Sequence, residues 1–145
     1  MTVKQISVFL ENQPGSLADF TKVLADNQLD MRALSLAETS DFGIIRIIVD
    51  DTYETAQVLK EAGYVCSITS VIAVAIPDEP GGLHKIVEIL GENKINIEYT
   101  YAFNTRKKDL AHMIFRVEDN EKAIEILVKN GIKMLAQEDL LSLNE

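Results

Sequence analysis

The stretch ISVFLENQPGSL at residues 6–17 recurs as IAVAIPDEPGGL at residues 72–83. In both copies an alternation of apolar residues leads into a proline–glycine pair and then into a leucine. The match continues at one constant offset up to the stretch 38–43 and at a slightly larger constant offset beyond it. A single change of offset at one loop is what a duplication with a lengthened turn leaves. We therefore predict two repeats of one unit.

The apolar pattern within each repeat predicts the element order βαββαβ. Apolar residues alternate over 3–10, as in a half-buried strand, and recur at helical spacing over 17–24. Two strands separated by a polar turn follow, then a second helix and a short last strand. Besides the first strand and helix of each copy, we predict strands over about 30–37, 43–50, 64–69, 96–103, 111–118 and 132–136, and helices over about 53–62 and 121–130.

Polar and glycine residues predict where these helices begin and end. Ser16 and Asp19 have the spacing of a capping box at the start of the first helix. Asn27 and Asn93 stand where a left-handed residue is expected to end a helix. The second helix of each copy is expected to begin at an aspartate and to stop at a glycine, which are Asp51 and Gly63, then Asp119 and Gly131.

The fold class that follows is α+β, with two ferredoxin-like βαββαβ units at residues 1–69 and 70–145. Each unit is expected to form an antiparallel four-stranded sheet with both helices on one face. A unit of about 70 residues buries only about 60% of its chain surface, so it is marginal by itself. The connection Ile68-Thr69-Ser70-Val71 is short. We therefore expect the units to pair side by side and cover their open edges.

Composition excludes several classes of function. The chain of 145 residues has 14 basic and 23 acidic residues, a formal net charge of −9, which disfavours nucleic acid and anionic membranes as partners. Apolar runs such as 71–76 are far shorter than the about 20 residues of a membrane span, and the N-terminus lacks the pattern of a signal peptide. One cysteine, Cys66, builds neither a disulfide framework nor a zinc site. We expect a soluble cytoplasmic protein without a cofactor.

The loops that end in proline–glycine have the chemistry to bind a zwitterion. Each loop leads into a helix N-terminus, where backbone N–H groups and the helix dipole favour a carboxylate. Asn12 can donate and accept hydrogen bonds, and Asp78 can accept from an ammonium group. The alternative is that each proline–glycine pair only makes a tight turn into a helix.

The same residues carry a resemblance to a known family. ENQPGSL and DEPGGL, each between an alternating strand and an amphipathic helix, resemble the signature loop of ACT domains. Asn96-Ile97 resembles the Asn-Ile pair usual in that family, where the first copy has Asp30-Met31. The likeness covers essentially the whole chain, as a tandem pair. It implies a regulatory module that binds an amino acid at the seam between two paired domains.

The resemblance also implies two sets of ligand-binding residues, to which we add one neighbour from each copy. The first set is Leu10, Asn12, Gly15 and Ser16 with Ile97 of the other repeat, and Gln13 of the same loop is added to it. The second set is Ile76, Asp78, Gly81 and Gly82 with Met31, and Tyr99 is added as a ligand neighbour. Asp78, Met31 and the lack of a histidine before the loop depart from the family pattern. The second pocket therefore matches the family pattern less well, and the departures favour a different ligand there.

Other chemistry-bearing residues are more easily explained by structure. His84 and Glu88 are one helical turn apart, but no third metal ligand has a fitting spacing, so no metal is predicted. His112 is expected at a surface or an interface, and Cys66 as a buried small hydrophobe. Tyr99, Tyr101 and Phe103 form a period-two stripe, expected in the core or the seam. Arg106-Lys107-Lys108 fits a solvated hairpin tip.

The sequence thus leaves two functions open. No motif for nucleophilic catalysis, dinucleotide binding or phosphate transfer is present, so no catalytic residue and no enzyme is predicted. The preferred function is a regulatory sensor that binds a free amino acid between its repeats and transmits occupancy to a partner, or to its own oligomer, expected as a homodimer. Glu11, Asp78 and Glu79 near the loops favour a neutral or basic amino acid. The alternative is a ligand-free assembly module that uses exposed sheet faces.

Overall fold

The computed structural model describes residues 1–105 and 107–142. In these residues the strands are β1 (Val3–Glu11), β2 (Met31–Glu38), β3 (Phe42–Val49), β4 (Cys66–Pro77), β5 (Ile97–Phe103), β6 (Leu110–Val117) and β7 (Lys133–Leu135). The helices are α1 (Ser16–Asp26), α2 (Thr52–Glu61), α3 (Gly82–Glu92), α4 (Asn120–Lys129) and α5 (Gln137–Ser142). The chain divides into two compact units, one at Lys4–Thr69 and the other from Ser70 onward together with Met1–Val3.

In the first unit β3 lies between β1 and β2 and pairs with both in antiparallel fashion. Val8 is opposite Ile45 on one side of β3, and Leu34 is opposite Ile47 on the other. The chain returns beside β1 after α2, where the backbone N–H of Phe9 donates to the carbonyl of Val65 at 3.1 Å. The helices α1 and α2 connect these strands as the repeat pattern predicts.

The core of the first unit lies between this sheet and its two helices. Alternate residues of β1 and β3 contribute buried side chains, and α1 adds Phe20 and Leu24. From α2, Ala56 and Leu59 join the same cluster, and the phenol ring of Tyr64 meets the ring of Phe20 edge-on at a centroid distance of 5.6 Å. Burial of one large apolar side chain stabilises by about 1.5–3 kcal/mol, so this cluster sets the position of α1 and of the loop before it.

The second unit repeats the arrangement with its own strands. β6 pairs with β5 and β4, and β7 pairs with the other side of β4, all antiparallel. Its buried cluster has members from β4, β6 and both helices, such as Ile72, Phe115, Ile86, Leu90 and Leu127. The predicted order βαββαβ and the α+β class are confirmed in both copies. The finer expectation, separate four-stranded sheets paired side by side, stays a prediction.

Two of the predicted helix caps are correct and one is wrong. Asp51 and Asp119 cap α2 and α4, because their carboxylates accept the N–H of Glu54 at 2.9 Å and of Lys122 at 3.1 Å. The glycines after these helices, Gly63 and Gly131, have φ of 95° and 75° as expected for left-handed helix ends. The predicted capping box at Ser16 is wrong, because Gly15 is the N-cap residue and makes no side-chain cap.

The left-handed residues after α1 and α3 also differ from the prediction, by a single position. Asn27 and Asn93 have φ of −101° and −95°, whereas Gln28 and Lys94 have φ of 56° and 59°. The asparagine side chains donate instead to carbonyls one turn back in their helices. The left-handed position thus falls immediately after each asparagine.

One strand, β4, replaces the two strands predicted around the repeat boundary. It runs from Cys66 to Pro77 without a break, because the intervening residues include neither glycine nor proline and are rich in β-branched residues. The short helix α5 is an element that the sequence pattern did not predict. Among the described residues, no helix is both long and apolar enough to cross a membrane.

Candidate functional site

Three backbone hydrogen bonds between residues close together in the sequence shape the loop between β1 and α1. The N–H of Gln13 donates to the carbonyl of Glu11 at 3.0 Å, and the N–H of Ser16 donates to the carbonyl of Gln13 at 3.2 Å. The N–H of Asp19 then donates to the carbonyl of Gly15 at 2.9 Å and closes the first turn of α1. Gly15 has a φ of 89°, a conformation that costs little only for glycine.

The loop between β4 and α3 has the same backbone pattern. The N–H of Glu79 donates to the carbonyl of Pro77 at 3.0 Å, and that of Gly82 donates to the carbonyl of Glu79 at 3.1 Å. Gly81 has a φ of 88°, and its carbonyl accepts the N–H of Lys85 at 3.1 Å. The two copies of the predicted signature loop are therefore duplicated in structure as well as in sequence.

The helices that follow these loops differ from the other two repeat helices at their N-termini. Gly15 and Gly81 are the N-cap residues of α1 and α3, and neither helix has a side-chain cap among the described residues. In contrast, Asp51 and Asp119 cap α2 and α4 with their carboxylates. An uncapped helix start presents backbone N–H groups and the positive end of the helix dipole. Both loops can therefore accept an anionic group from outside the chain.

A cavity of about 360 Å³ lies beside the first loop, within the first unit. Its size falls within the range of about 300–1,000 Å³ usual for small-molecule sites. The lining combines apolar side chains with amide, hydroxyl and carboxylate groups: Leu10, Glu11, Asn12, Gln13, Ser16, Leu17, Leu36, Glu38 and Gly43. The structure thus brings together four of the predicted ligand-binding residues, Leu10, Asn12, Gln13 and Ser16.

The other five lining residues were not predicted. Glu11 and Leu17 flank predicted residues in the loop and in α1, while Leu36, Glu38 and Gly43 come from β2 and β3. Strand pairing brings these last three to the loop, because Gly43 is opposite Leu10 on one side and opposite Glu38 on the other. No strand register was predicted from the sequence, so no signal identified these three residues.

Asn12 ties the first loop to the turn between β2 and β3. Its side-chain Nδ2 donates to the backbone carbonyl of Thr39 at 2.8 Å and lies 3.4 Å from Oε2 of Glu38. Its backbone N–H donates to the carbonyl of Asp41 at 3.2 Å. Because both side-chain partners are acceptors, the amide nitrogen must face the turn. The amide oxygen is therefore the atom that a ligand can use.

The second loop keeps only the backbone half of this connection. The N–H of Asp78 donates to the carbonyl of Asp109 at 3.0 Å, but a carboxylate has no N–H for a side-chain bond to the turn. Gly82 also replaces the Ser16 of the first copy. A Cβ at Gly82 would lie 2.3 Å from the carbonyl oxygen of Pro77, so the second loop has no room for the serine side chain.

Of the remaining predicted ligand residues, four lie in strands and Gly81 precedes a helix. Ile76 is buried near the end of β4, and Gly81 precedes α3. Met31 begins β2 and Ile97 begins β5, and both are half-buried. Tyr99 is half-buried and stacks on Tyr101 at a centroid distance of 6.5 Å. The predicted sharing of pockets by residues of both repeats stays a prediction.

A second cavity, of about 320 Å³, borders the opposite side of the same loop. It shares Leu10, Glu11, Gln13 and Ser16 with the first cavity and adds residues that include Asp19 and Tyr64. Burial raises the pKa of Tyr64 above its ordinary value, and the charge of Asp19 adds to the shift. The phenol therefore stays protonated at neutral pH and can donate a hydrogen bond.

The largest of these cavities, about 530 Å³, is a hydrophilic cleft of the second unit at the start of α4. Its lining includes Lys94, Glu118, Asp119 and Lys122, and none of the predicted ligand residues is in it. Asp119 already caps α4 with its carboxylate. The start of this helix is thus occupied by the chain itself.

The other candidate residues have structural partners or buried positions. His84 Nε2 and Glu88 Oε2 form an exposed pair at 2.8 Å, and no cluster of three metal-ligating side chains occurs among the described residues. His112 is only 2% exposed, so it does not lie at a surface, and the other expected position, at an interface, stays a prediction. Cys66 is half-buried against the first core, close to its predicted role. Of the predicted basic hairpin tip, Arg106 lies outside the described residues.

The fold and the site together define a class of protein. Its members are duplicated βαββαβ chains with a proline–glycine loop before the first helix of each copy. The chain belongs to the ACT domain pair family, whose model matches residues 1–144, and the resemblance drawn from the sequence is confirmed. ACT domain pairs are regulatory modules. No curated relative matches the chain by sequence.

Solved structures with the same fold include one of clear sequence similarity. Protein BT0572 from Bacteroides thetaiotaomicron is 37% identical, covers 99% of this chain and 98% of its own, and superimposes with a TM-score of 0.90. The ligand-free regulatory subunit of aspartate kinase from Thermus thermophilus is 16% identical over 87% of this chain and 90% of its own, with a TM-score of 0.61. Aspartokinase III of E. coli, in complex with lysine and aspartate, is 15% identical over 90% of this chain and 31% of its own, with a TM-score of 0.53. The last two establish a likeness of fold.

Proposed function

We propose that the chain is a regulatory sensor that binds a free amino acid at its proline–glycine loops, at the seam of its two repeats, and transmits occupancy to a partner protein or to its own oligomer. The observation that carries this proposal is the contrast in helix capping. The two helices that follow the signature loops begin at Gly15 and Gly81 without a side-chain cap. The other two are capped by Asp51 and Asp119. The chain thus leaves open the helix starts at which a ligand carboxylate is favoured.

The cavity beside the first loop supplies the partners for the rest of a zwitterion. The uncapped start of α1 favours the ligand carboxylate, and the Asn12 amide oxygen and the Glu38 carboxylate can accept from its ammonium group. These groups border one cavity of about 360 Å³, so a small ligand can meet both at once. The described part of the lining has carboxylates and no Lys or Arg, which agrees with a neutral or basic amino acid.

The family relationship supports the same function. ACT domain pairs are regulatory, and E. coli aspartokinase III, which shares the fold, has been crystallised with lysine and aspartate. A ligand changes a conformational or assembly equilibrium only by its difference in affinity for the two states. Typical coupling free energies are about 1–3 kcal/mol, which changes a partner's affinity several-fold to about a hundred-fold. We expect the sensor to act as a homodimer in the cytoplasm.

A thermal-shift screen against the individual free amino acids tests this function. A ligand present at about 100 times its Kd stabilises the folded state by about 2.7 kcal/mol, which gives a clear rise in Tm. Asn12→Ala should reduce the shift, whereas Asn130→Ala, a change of the same chemistry at the end of α4, should leave it intact. If no amino acid raises the Tm of the wild-type chain, the sensor function is wrong and the assembly-module alternative gains support.

A further inference from the structure

We propose that the cavity beside the first loop, lined by nine residues that include Leu10, Leu17, Leu36, Glu11 and Glu38, selects an amino acid with an uncharged aliphatic side chain. This inference rests on the proposed function, because it names the ligand class of the same site. Three observations support this selectivity: an apolar wall, the charges of the lining and the contrast with the second repeat.

Three leucines form the apolar part of the lining. Leu10 is buried, whereas Leu17 on α1 and Leu36 on β2 remain 38% and 48% exposed. Exposed apolar surface in a concave site gains free energy when an apolar ligand group displaces water from it. The two exposed leucines lie on different elements, α1 and β2, so a branched aliphatic group can contact the wall from two sides. It therefore favours an aliphatic ligand side chain over a polar one.

The charges of the described lining disfavour an acidic side chain, and its leucines offer a basic side chain no acceptor. Its ionisable residues, Glu11 and Glu38, are both acids, so a ligand with a second carboxylate would be repelled. Glu11 Oε2 already accepts from Nε2 of Gln13 at 2.7 Å. Among the described residues, the carboxylate of Glu38 makes one long contact, of 3.4 Å with Asn12, which leaves it for the ligand's α-ammonium group. A cationic side chain would lie against leucine without an acceptor of its own.

The second repeat lacks both the leucine of β2 and the carboxylate that would hold the ammonium group. At the constant offset that matches the two signature loops, Ala102 takes the place of Leu36, and Asn104 takes the place of Glu38. The strand pairs agree, because Leu36 is opposite Ile45 and Ala102 is opposite Met113. A shortened side chain removes the apolar wall, and an amide removes the charge that would hold the ammonium group. The selectivity is thus assigned to the first repeat.

Gly43 gives Leu36 the room that its position needs. A Cβ on Gly43 would lie 3.2 Å from Cδ1 of Leu36, tighter than ordinary packing, so a larger residue there would displace the leucine. The second repeat has the opposite combination, Ala111 with the small Ala102. The residue pair therefore changes together between the copies. This complementarity identifies Leu36 as the specificity-determining residue of the first cavity.

Isothermal titration of the full chain with leucine, alanine, lysine and glutamate tests the inference. We expect leucine to bind most tightly and glutamate most weakly. Leu36→Ala should weaken leucine binding about 5- to 10-fold and change alanine binding less than about 2-fold, because only the longer side chain reaches the wall. Alanine occupies the equivalent position of the second repeat, so the variant should fold. Glu38→Gln should weaken all four ligands by a similar factor.

Leu34→Ala is the matched control. Leu34 lies on the same strand and the same face as Leu36 and is 43% exposed, but it is outside the described cavity lining. Its replacement should leave all four affinities unchanged. Tightest binding of lysine or glutamate, or equal effects of the two leucine variants on leucine binding, would overturn the aliphatic selectivity and leave the sensor function standing. If none of the free amino acids binds, the sensor function itself fails.

Discussion

The side-chain amide of Asn12 donates a hydrogen bond to the backbone carbonyl of Thr39 at 2.8 Å. The two residues are 27 positions apart, and the bond joins the signature loop to the turn between β2 and β3. In the second repeat Asp78 stands at the equivalent position, and its carboxylate can make no such bond. The bond therefore marks a difference between two loops whose backbones are otherwise alike.

Asn12→Asp should destabilise the chain more than Asn12→Ala. Both variants lose the bond to Thr39, but the aspartate also places a negative charge near the carboxylate of Glu38 and the carbonyl of Thr39. The lost exposed bond should cost about 0.5–1 kcal/mol, and the repulsion should add a few tenths of a kcal/mol, about the worth of an exposed pair. Urea denaturation at pH 7 measures both free energies of unfolding.

The control for these variants is Asn130→Ala. Asn130 Nδ2 donates to the carbonyl of Ile126 at 2.8 Å, a local bond at the end of α4 that lies in the other unit. Asn130→Ala should lower the free energy of unfolding by a similar amount without any change in ligand binding. Equal stability of the Asp and Ala variants at position 12 would contradict a donating role of the Asn12 side chain.

Gly82→Ala should destabilise the second unit. The new Cβ would be placed 2.3 Å from the backbone carbonyl oxygen of Pro77, and a backbone atom cannot turn away as a flexible side chain can. Overpacking of this kind costs about 1–3 kcal/mol. We expect a fall in Tm of several degrees, measured by circular dichroism or scanning calorimetry.

Gly91→Ala in the same helix is the matched control. No atom lies within 4 Å of the position that its Cβ would take, apart from the helix's own backbone and the chain neighbours. Alanine is the better helix former by about 1 kcal/mol, so this variant should raise the Tm. Opposite shifts are expected for the same chemical change at two positions of α3. A rise in Tm for both variants would show that the loop before α3 relaxes away from the added methyl group.

Local signals in the sequence were enough for most of the fold. Asp51 and Gly63 act within one helical turn, so their roles as cap and helix end follow from residue type and spacing. The position of the left-handed residue after α1 did not follow. Asn27 tolerates that conformation, but its side chain bonds back to the carbonyl of Val23 at 2.8 Å, and Gln28 adopts the positive φ. The competition between these two local arrangements is not visible in composition.

Only the part of the candidate site that is contiguous in the sequence could be predicted. Asn12 and Ser16 belong to one loop, and the repeat and the family resemblance pointed to both. Leu36 and Glu38 come from β2, on the far side of α1 in the chain, and their proximity to the loop depends on the register of three strands. A slip of a single position would turn Leu36 to the other face of the sheet. The half of the site that depends on register was therefore the half that the sequence pattern did not reveal.

Asp51→Ala and Asp119→Ala should destabilise their own units by similar amounts. Each carboxylate accepts one backbone N–H at the start of its helix, at 2.9 and 3.1 Å. Loss of such a cap costs typically about 1 kcal/mol. Asp51→Asn and Asp119→Asn should retain most of the free energy of unfolding, because the amide oxygen still accepts the hydrogen bond. Guanidinium denaturation of the four variants measures the effect, and a cost near zero for both alanine variants would contradict the capping role.

His112 should make the stability of the chain decrease as the pH falls below about 6.5, the ordinary pKa of histidine. Its side chain is 2% exposed, and its Nδ1 has no hydrogen-bond partner among the described residues. Burial lowers the pKa of His112 below its ordinary value, and the positive charges of Lys107 and Lys133 lower it further. The folded state therefore favours the neutral imidazole.

The sign of the dependence follows from proton uptake. The unfolded chain binds a proton at His112 near the ordinary pKa of about 6.5, while the folded chain binds it only at lower pH. The free energy of unfolding contributed by this group is complete above about pH 6.5 and decreases as the pH falls towards the lowered pKa. His112→Phe should flatten the stability profile in this window, as measured by urea denaturation at several pH values. His84→Gln, which changes the only other histidine of the sequence, is the comparison variant. A slope that persists in His112→Phe would contradict the assignment of the pH dependence to His112.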